Sequence, residues 1–397
     1  MTSSPLTQRP VANLGFTLDV ANLADLDALT ALEQQAFSKD RLSRRSLRHM
    51  LTKAHADLQV ARVPGTTALA GYVLVLYSKV TATARLYSIA VDESHRRGGV
   101  ASGLLAAAEG LARERGCISL RLEIRRDNLP SQALFRRHGY RPFAVWPNYY
   151  QDRETALRFE KPLVQPQGHL KLLSVPHYRQ TLEFTCGPAA LMMAMKALDP
   201  ALALDRKLEL RLWREATTIY MTSGHGGCSP QGLALAARRR GFAVKVYLNG
   251  DGVFLVNSVR SPEKRAVMAL VQEDMEEELA GLGVTVQRSC PSLAELKTRC
   301  EAGAVSLMLI SSYRFYGERT PHWVVITGFD ERYIYTHDPF VDSDEGETVT
   351  DSLNMPIPLR LFETMARYGK GGQRAVVILE RPPDTPAEPA TGDPVVP

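Results

Sequence analysis

The segment TLEFTCGPAALMM, Thr181 to Met193, sets one cysteine, Cys186, ahead of a Gly-Pro pair and an apolar helical run. A thiol at a helix N-terminus feels the positive end of the helix dipole and the first unpaired amides, so the nucleophilic thiolate is favoured. A nucleophile also needs a base and a group that orients it, and both come from distant sequence. PHWVVITGFDERYIYTHDPF supplies His322 at the start of one predicted strand and Asp338 at the end of the next, joined by a GFDER turn. In an antiparallel hairpin these positions lie side by side, so the imidazole can take the thiol proton while the carboxylate fixes its tautomer. Gln180, upstream of Cys186, completes the set: its side-chain amide and the Cys186 backbone N–H would form an oxyanion hole. A lone cysteine at a helix start is commonly a packed apolar residue, and the added His, Asp and Gln favour a catalytic set. Cys228, in SGHGGCSPQGL with His225 nearby, is a rival thiol without a comparable carboxylate, and its segment reads as a flexible loop beside the cleft. His337 falls on the opposite strand face from Asp338, which points to a structural role.

A second constellation lies upstream. VDESHRRGGVASGLL, Val91 to Leu105, runs from a strand through a glycine pair into a helix. The unpaired amides of such a helix start make a site for a pyrophosphate, and the glycines let the ligand approach closely. Arg96-Arg97-Gly98-Gly99-Val100-Ala101 resembles the R-x-x-G-x-A acyl-CoA loop of the GNAT N-acetyltransferases. NLPSQALFRRHGY, beginning at Asn128, is similar to that family's second signature. LEIRRDN and NYYQDRETALRFEKPL look most like the ribosomal-protein alanine N-acetyltransferases. The resemblance implies acetyl-CoA as acyl donor and backbone amides of Ile89, Ala90 or Val91 polarising the thioester carbonyl. It also implies Glu123 as the carboxylate facing the amine; the competing reading makes Glu123 an outward strand residue paired with Arg121 or Arg125. Phe135 stands where the family usually carries a tyrosine that serves the leaving thiolate. Tyr140, Tyr149 and Tyr150 are the candidate substitutes, each equally readable as an aromatic packing residue.

The order Gln180, Cys186, His322, Asp338, with QTLEFTCGPA, HWVVI and THDP around them, resembles the papain-like cysteine peptidases that process bacteriocin leaders. The two resemblances together imply a two-domain α/β and α+β chain. A GNAT fold, with a mixed, mostly antiparallel sheet and flanking helices, precedes a papain-like cysteine peptidase fold. The expected boundaries are 13–163 for the first domain, 164–170 for a Pro- and Gln-containing linker and 171–380 for the second domain. A Pro-rich, disordered tail is expected over 381–397.

The bulk composition fits this division. At 397 residues, 45% hydrophobic and 23% charged, the chain is long enough for two cores. A net charge of +5, spread over separate arginine clusters, argues against a nucleic-acid partner; a ribosomal protein remains a candidate acceptor through the resemblance. The start of the chain has no apolar signal segment, no run reaches bilayer length, and the five cysteines show no paired or metal-ligand spacing. The expectation is a cytoplasmic protein with reduced thiols and no metal. The leading functional expectation is a bifunctional enzyme, an acetyl-CoA-dependent N-acetyltransferase for a protein or peptide amine fused to a cysteine peptidase or amidase. Two alternatives stay open: a second domain that only binds peptide for the transferase, or a first domain that senses acyl-CoA and regulates the peptidase.

Overall fold

The computed structural model describes residues 15–164, 170–217, 226–342, 349–369 and 371–381. The expected tail beyond Arg381, residues 165–169 of the expected linker, and His225 lie outside the described residues. The chain divides into two compact units, residues 1–165 and 166–397.

The first unit begins with β1 (Thr17–Val20), α1 (Leu26–Ala36) and α2 (Arg44–Thr52). Asn22 and Asp25 form a capping box ahead of α1, and the Ser43 side chain accepts from the Ser46 amide at the start of α2. β2 (Ala56–Arg62) and β3 (Leu69–Tyr77) form a hairpin, followed by β4 (Thr83–Val91), α3 (Val100–Glu114) and β5 (Ser119–Arg125). α4 (Leu129–Arg137), β6 (Arg141–Trp146) and β7 (Ala156–Pro162) close the unit. The sheet order is β1-β2-β3-β4-β5-β7-β6, with only β4 and β5 parallel. This is the GNAT fold, a mixed sheet with flanking helices.

Two irregularities in β4 shape its centre. The register passes from Val75↔Leu86 to Leu74↔Ser88, leaving Tyr87 as an extra residue that flips the strand's alternation. β4 pairs with β5 only over Thr83–Arg85, whereas β5 stays paired with β7 along its whole length. Beyond Arg85 the parallel neighbours separate and leave a gap in the sheet. One face packs under α3 through Val73, Val75, Leu104 and Leu105, and the other under α1 and α2 through Leu29, Leu47, Tyr72 and Leu74.

The second unit begins with β8 (Lys171–Leu172), α5 (Cys186–Leu198), α6 (Arg206–Ala216), α7 (Pro230–Arg238) and β9 (Ala243–Leu248). Next come α8 (Pro262–Gly281), β10 (Val286–Gln287), α9 (Leu293–Glu301), β11 (Val305–Ser311), α10 (Tyr313–Tyr316) and β12 (Pro321–Phe329). β13 (Tyr333–His337), β14 (Met355–Pro358), α11 (Leu359–Met365) and β15 (Ala375–Glu380) complete it. The sheet runs β10-β9-β15-β11-β12-β13-β14, with β8 added to β12. α5 is a central helix: ten of its thirteen residues are buried, as its run of Ala, Leu and Met requires. α6 and α7 touch so closely that a Cβ on Gly232 would lie 2.6 Å from the Ala216 backbone. Similarly, a Cβ on Gly187 would meet Cys228 and Trp323 at 3.1 and 3.2 Å.

Candidate active sites

Cys186 is the first residue of α5, where a helix leaves its amides without intrahelical partners. His322 stands at the N-terminal end of β12, and its Nε2 meets Asp338 Oδ1 at 2.6 Å. Extending the Val325↔His337 register places Asp338 opposite Val324, so the pair is a diagonal one and not the side-by-side pair the hairpin pattern predicts. With Nε2 engaged, Nδ1 is the ring nitrogen left, and the Cys186 sulfur is near enough to act on the charge of the imidazole. Burial alone would push His322 below its ordinary 6.5, but the Asp338 carboxylate and the Cys186 sulfur hold its proton and raise it to about 10. Asp338 is fully buried; Oδ1 also accepts from the Phe340 amide at 2.8 Å, and Oδ2 accepts from the Tyr316 hydroxyl at 2.9 Å. The carboxylate is thus fixed from three directions, and the ring it orients is fixed with it.

The structure revises two further expectations here. Gln180 donates through Nε2 to the carbonyls of Leu182 and Glu183 at 2.8 and 3.2 Å, so its amide hydrogens are committed to its own loop, not aimed into an oxyanion hole. That loop is pinned by Glu209 of α6, a fully buried carboxylate that sequence reasoning missed. Glu209 accepts from the Tyr178 hydroxyl (3.0 Å), the Thr181 amide (2.8 Å), the Thr181 hydroxyl (2.7 Å) and the Thr185 hydroxyl (2.5 Å). Its one sequence signal is an acid beside Leu208 and Leu212 on the inward stripe of an amphipathic helix. Cys228 lies beside the nucleophile helix as expected, bridged to Thr217 ahead of α7, but it is not exposed there. It is buried against Gly187, its carbonyl accepts from Trp323 Nε1 at 3.1 Å, and burial pushes its thiol well above the usual range. Tyr316 also went unseen, because nothing in SSYRFYGERT marks one aromatic among three as an orienting group. His337 has both ring nitrogens bonded, to the Val175 carbonyl and the Asn354 amide, each at 2.9 Å. A groove of about 410 Å³ lined by Arg179, Gln180, Glu183, Phe184 and Phe340 runs along this loop.

In the first unit, Arg96 is extended, Arg97 has φ 65°, and Gly99 at φ 80° leads directly into Val100 and Ala101 of α3. A Cβ on Gly98 would come within 3.3 Å of the His95 carbonyl oxygen. The turn therefore presents bare backbone at a helix start, which fits an acyl-CoA diphosphate. The Asp92 amide donates to the Ala70 carbonyl. Alternation along the ladder then turns the Ala90 amide into β3 and the Ile89 and Val91 amides toward the gap beside β5. The diphosphate and the thioester carbonyl would be held at these two places. Asn128 caps α4 by accepting from the Ser131 amide at 3.1 Å. Among the described residues no cluster of His, Cys, Asp and Glu is placed to hold a metal ion.

Glu123 is not the outward residue paired with Arg121 or Arg125 of the competing reading. Its buried carboxylate is clamped by Arg85 (Nε to Oε2, 3.0 Å) and Arg158 (Nη2 to Oε1, 2.6 Å; Nε to Oε1, 3.0 Å), while Arg121 pairs with Glu160 and Arg125 with Asp127 and Asp152. A carboxylate whose lone pairs are filled by guanidinium N–H groups is a poor proton acceptor. Phe135 and Tyr140 are buried and pack edge to face at 5.3 Å; the Tyr140 hydroxyl has no well-formed hydrogen bond among the described residues, and burial and then the nearby Glu109 charge raise it strongly. Tyr149 accepts from Arg85 Nη2 at 2.8 Å and is raised to about 12 by burial and then by the Glu123 charge. Tyr150 packs against Tyr149, with Arg125 over its ring, and burial raises it too.

Comparison with known proteins agrees with this division. The Acetyltransferase (GNAT) family model matches residues 26–140, so the first unit is an acetyltransferase domain. A relative from Bacillus subtilis (strain 168), provisionally named a ribosomal protein bS18-alanine N-acetyltransferase, is 28% identical over 130 residues, 33% of this chain and 83% of its own length. An N-alpha-acetyltransferase of Saccharolobus solfataricus is 35% identical over 77 residues, 19% of this chain and 46% of its own. The solved ribosomal-protein-S18-alanine N-acetyltransferase of Escherichia coli, 25% identical, aligns over 39% of this chain and 99% of its own with a TM-score of 0.35. No helix among the described residues is long and apolar enough to cross a membrane. The remaining match covers residues 175–380, which include the nucleophile helix, the imidazole and the carboxylate; since that span exceeds half of the sequence, the chain belongs to the Peptidase_C39 like family.

Proposed function

We propose that the protein is a bifunctional enzyme: its first unit transfers acetyl from acetyl-CoA to the α-amine of a protein or peptide, and its second cleaves a peptide or amide bond through Cys186. The second activity is carried by the Nε2–Oδ1 contact of 2.6 Å between His322 and Asp338, with the ring's other nitrogen left for the thiol. In this reading His322 has already taken the Cys186 proton before the sulfur attacks a carbonyl carbon, and it then gives that proton to the departing amine. Asp338 holds the tautomer and balances the imidazolium charge. The acyl-enzyme is released by water, again with His322 as base. The oxyanion is assigned to the Cys186 amide at the helix start.

For the first unit, the glycine turn at Arg96–Ala101 and the Ile89 and Val91 amides would hold and polarise the acyl donor. The α-amine acceptor is supported by the names of the Bacillus and Saccharolobus relatives. The test treats cell lysate with wild-type and Cys186→Ala protein, with and without acetyl-CoA, and reads new termini and new acetyl groups by mass spectrometry. New termini lost in Cys186→Ala, together with α-N-acetyl groups that need acetyl-CoA, are the expected result. Acetyl groups without new termini would leave the second unit as a peptide-binding module.

A further inference from the structure

Glu123, held between two guanidinium groups, is a poor acceptor for the amine proton. On the sheet face opposite α3, three side chains from three elements form one line. Glu33 of α1 is 2% exposed, and among the described residues no Lys, Arg or His pairs with it. Its Oε1 accepts from the Leu42 amide at 2.7 Å, and its Oε2 accepts from the Tyr72 hydroxyl. Tyr72 of β3 is fully buried, and its oxygen lies 2.7 Å from Ser88 Oγ. Ser88 of β4 is half-buried and is the residue before Ile89, whose amide faces the gap.

We propose that Ser88, Tyr72 and Glu33 form the proton path of acetyl transfer, with Ser88 touching the acceptor amine and Glu33 as the terminal proton acceptor. The direction of the line follows from its end. A carboxylate only accepts, so Tyr72 donates to Glu33, and the remaining Tyr72 lone pair accepts the Ser88 hydroxyl. Ser88 Oγ therefore keeps lone pairs for an incoming N–H. The ammonium gives one proton to Ser88 as the Ser88 proton passes to Tyr72 and the Tyr72 proton to Glu33, which becomes a neutral acid. The freed amine attacks the thioester carbonyl carbon, the C–S bond breaks, and the thiolate takes the second amine proton. Glu33 later returns its proton to solvent along the same line, so amide, CoA thiol and one proton balance the reaction.

Burial raises Glu33 above the usual carboxylate range, against the Tyr72 hydroxyl, the Leu42 amide and the Arg41 charge, which lower it; the direction is that of a better proton acceptor. Burial and the Glu33 charge keep Tyr72 protonated, and Tyr87 is the other titratable group whose charge reaches it. The Tyr87 bulge in β4 brings Ser88 to the same strand face as Arg85, one of the two partners of Glu123.

The inference rests on the acetyl-transfer reading. Its test follows CoA release by the full-length protein from acetyl-CoA and a peptide with an unblocked N-terminal alanine, across pH 6.5 to 9.5. Ser88→Ala and Tyr72→Phe are expected to lower kcat/KM at pH 7 by about 10- to 100-fold. They should rejoin the wild type at high pH, where the amine is neutral unaided, with CoA binding unchanged by calorimetry. Ser88→Thr, which keeps a hydroxyl, should keep the rate. A loss equal at every pH, or no loss, would overturn the proposal. If the wild type acetylates only a lysine side chain in a peptide mixture, the α-amine reading falls and the same profile on that lysine decides the path. If it acetylates no amine, both fall.

Discussion

His322 and Asp338 share one face of the second sheet because of a single extra residue between their strands. On one side of the irregularity Phe329 pairs with Ile334 and Gly328 with Tyr335; on the other Ile326 pairs with Thr336 and Val325 with His337. Thr327 is the unmatched residue. An uninterrupted ladder would turn Asp338 to the face away from His322, since a shift of one residue inverts every side chain beyond it. The bulge also lies where β8 presses in, so that a Cβ on Gly328 would come within 2.7 Å of Leu172.

The pair should make stability depend on pH. The folded His322 titrates at about 10, above its ordinary 6.5, so its contribution is complete below 6.5 and is lost as pH rises through about 10. Urea unfolding followed by tryptophan fluorescence should show wild-type stability falling between pH 7 and 10 more steeply than in Asp338→Asn. Parallel curves for the two proteins would refute the coupling.

Cysteine reactivity should be selective. Cys186 is half-buried beside the His322 ring, whereas burial raises Cys117 and Cys300 to about 11 and pushes Cys228 well above the usual thiol range. Brief iodoacetamide treatment at pH 7 followed by peptide mapping should label Cys186 first, and His322→Ala should slow that labelling at least 10-fold. Preferential labelling of Cys228 would reverse the assignment of the nucleophile.

Glu123 should behave as a structural ion-pair partner. Glu123→Gln leaves the guanidinium groups of Arg85 and Arg158 facing a neutral amide in a buried site, a loss of about 3–5 kcal/mol. Denaturant unfolding of the purified variant measures it. An unchanged midpoint with abolished acetyl transfer would return Glu123 to the role of base.

Glu209→Gln removes a charged acceptor from donors on Tyr178, Thr181 and Thr185 and should cost about 1–3 kcal/mol. Because Thr185 immediately precedes Cys186, alkylation of the thiol should slow as well. Full stability with wild-type alkylation would show that the loop holds its shape without this anchor.

Much of the architecture was legible in local patterns. The hairpin of β2 and β3, the glycine turn before α3, the helix after Cys186 and the strands carrying His322 and Asp338 all follow from period, breakers and turns. The 20-residue helix α8 was missed because its apolar positions form no clear stripe; only four of its residues are buried.

The sequence by itself determined which chemistry was available: a thiol at a helix start, an imidazole, a carboxylate and a glycine turn, each marked by composition and short-range spacing. Tertiary structure alone decided which of these groups are free to act. It closed two guanidinium groups around Glu123, turned the Gln180 amide into its loop, buried Cys228 and gave Asp338 the Tyr316 hydroxyl. Those outcomes depend on which side chains from distant elements share a face and a hydrogen bond, and a bulge of one residue can invert that sharing while leaving the local pattern unchanged.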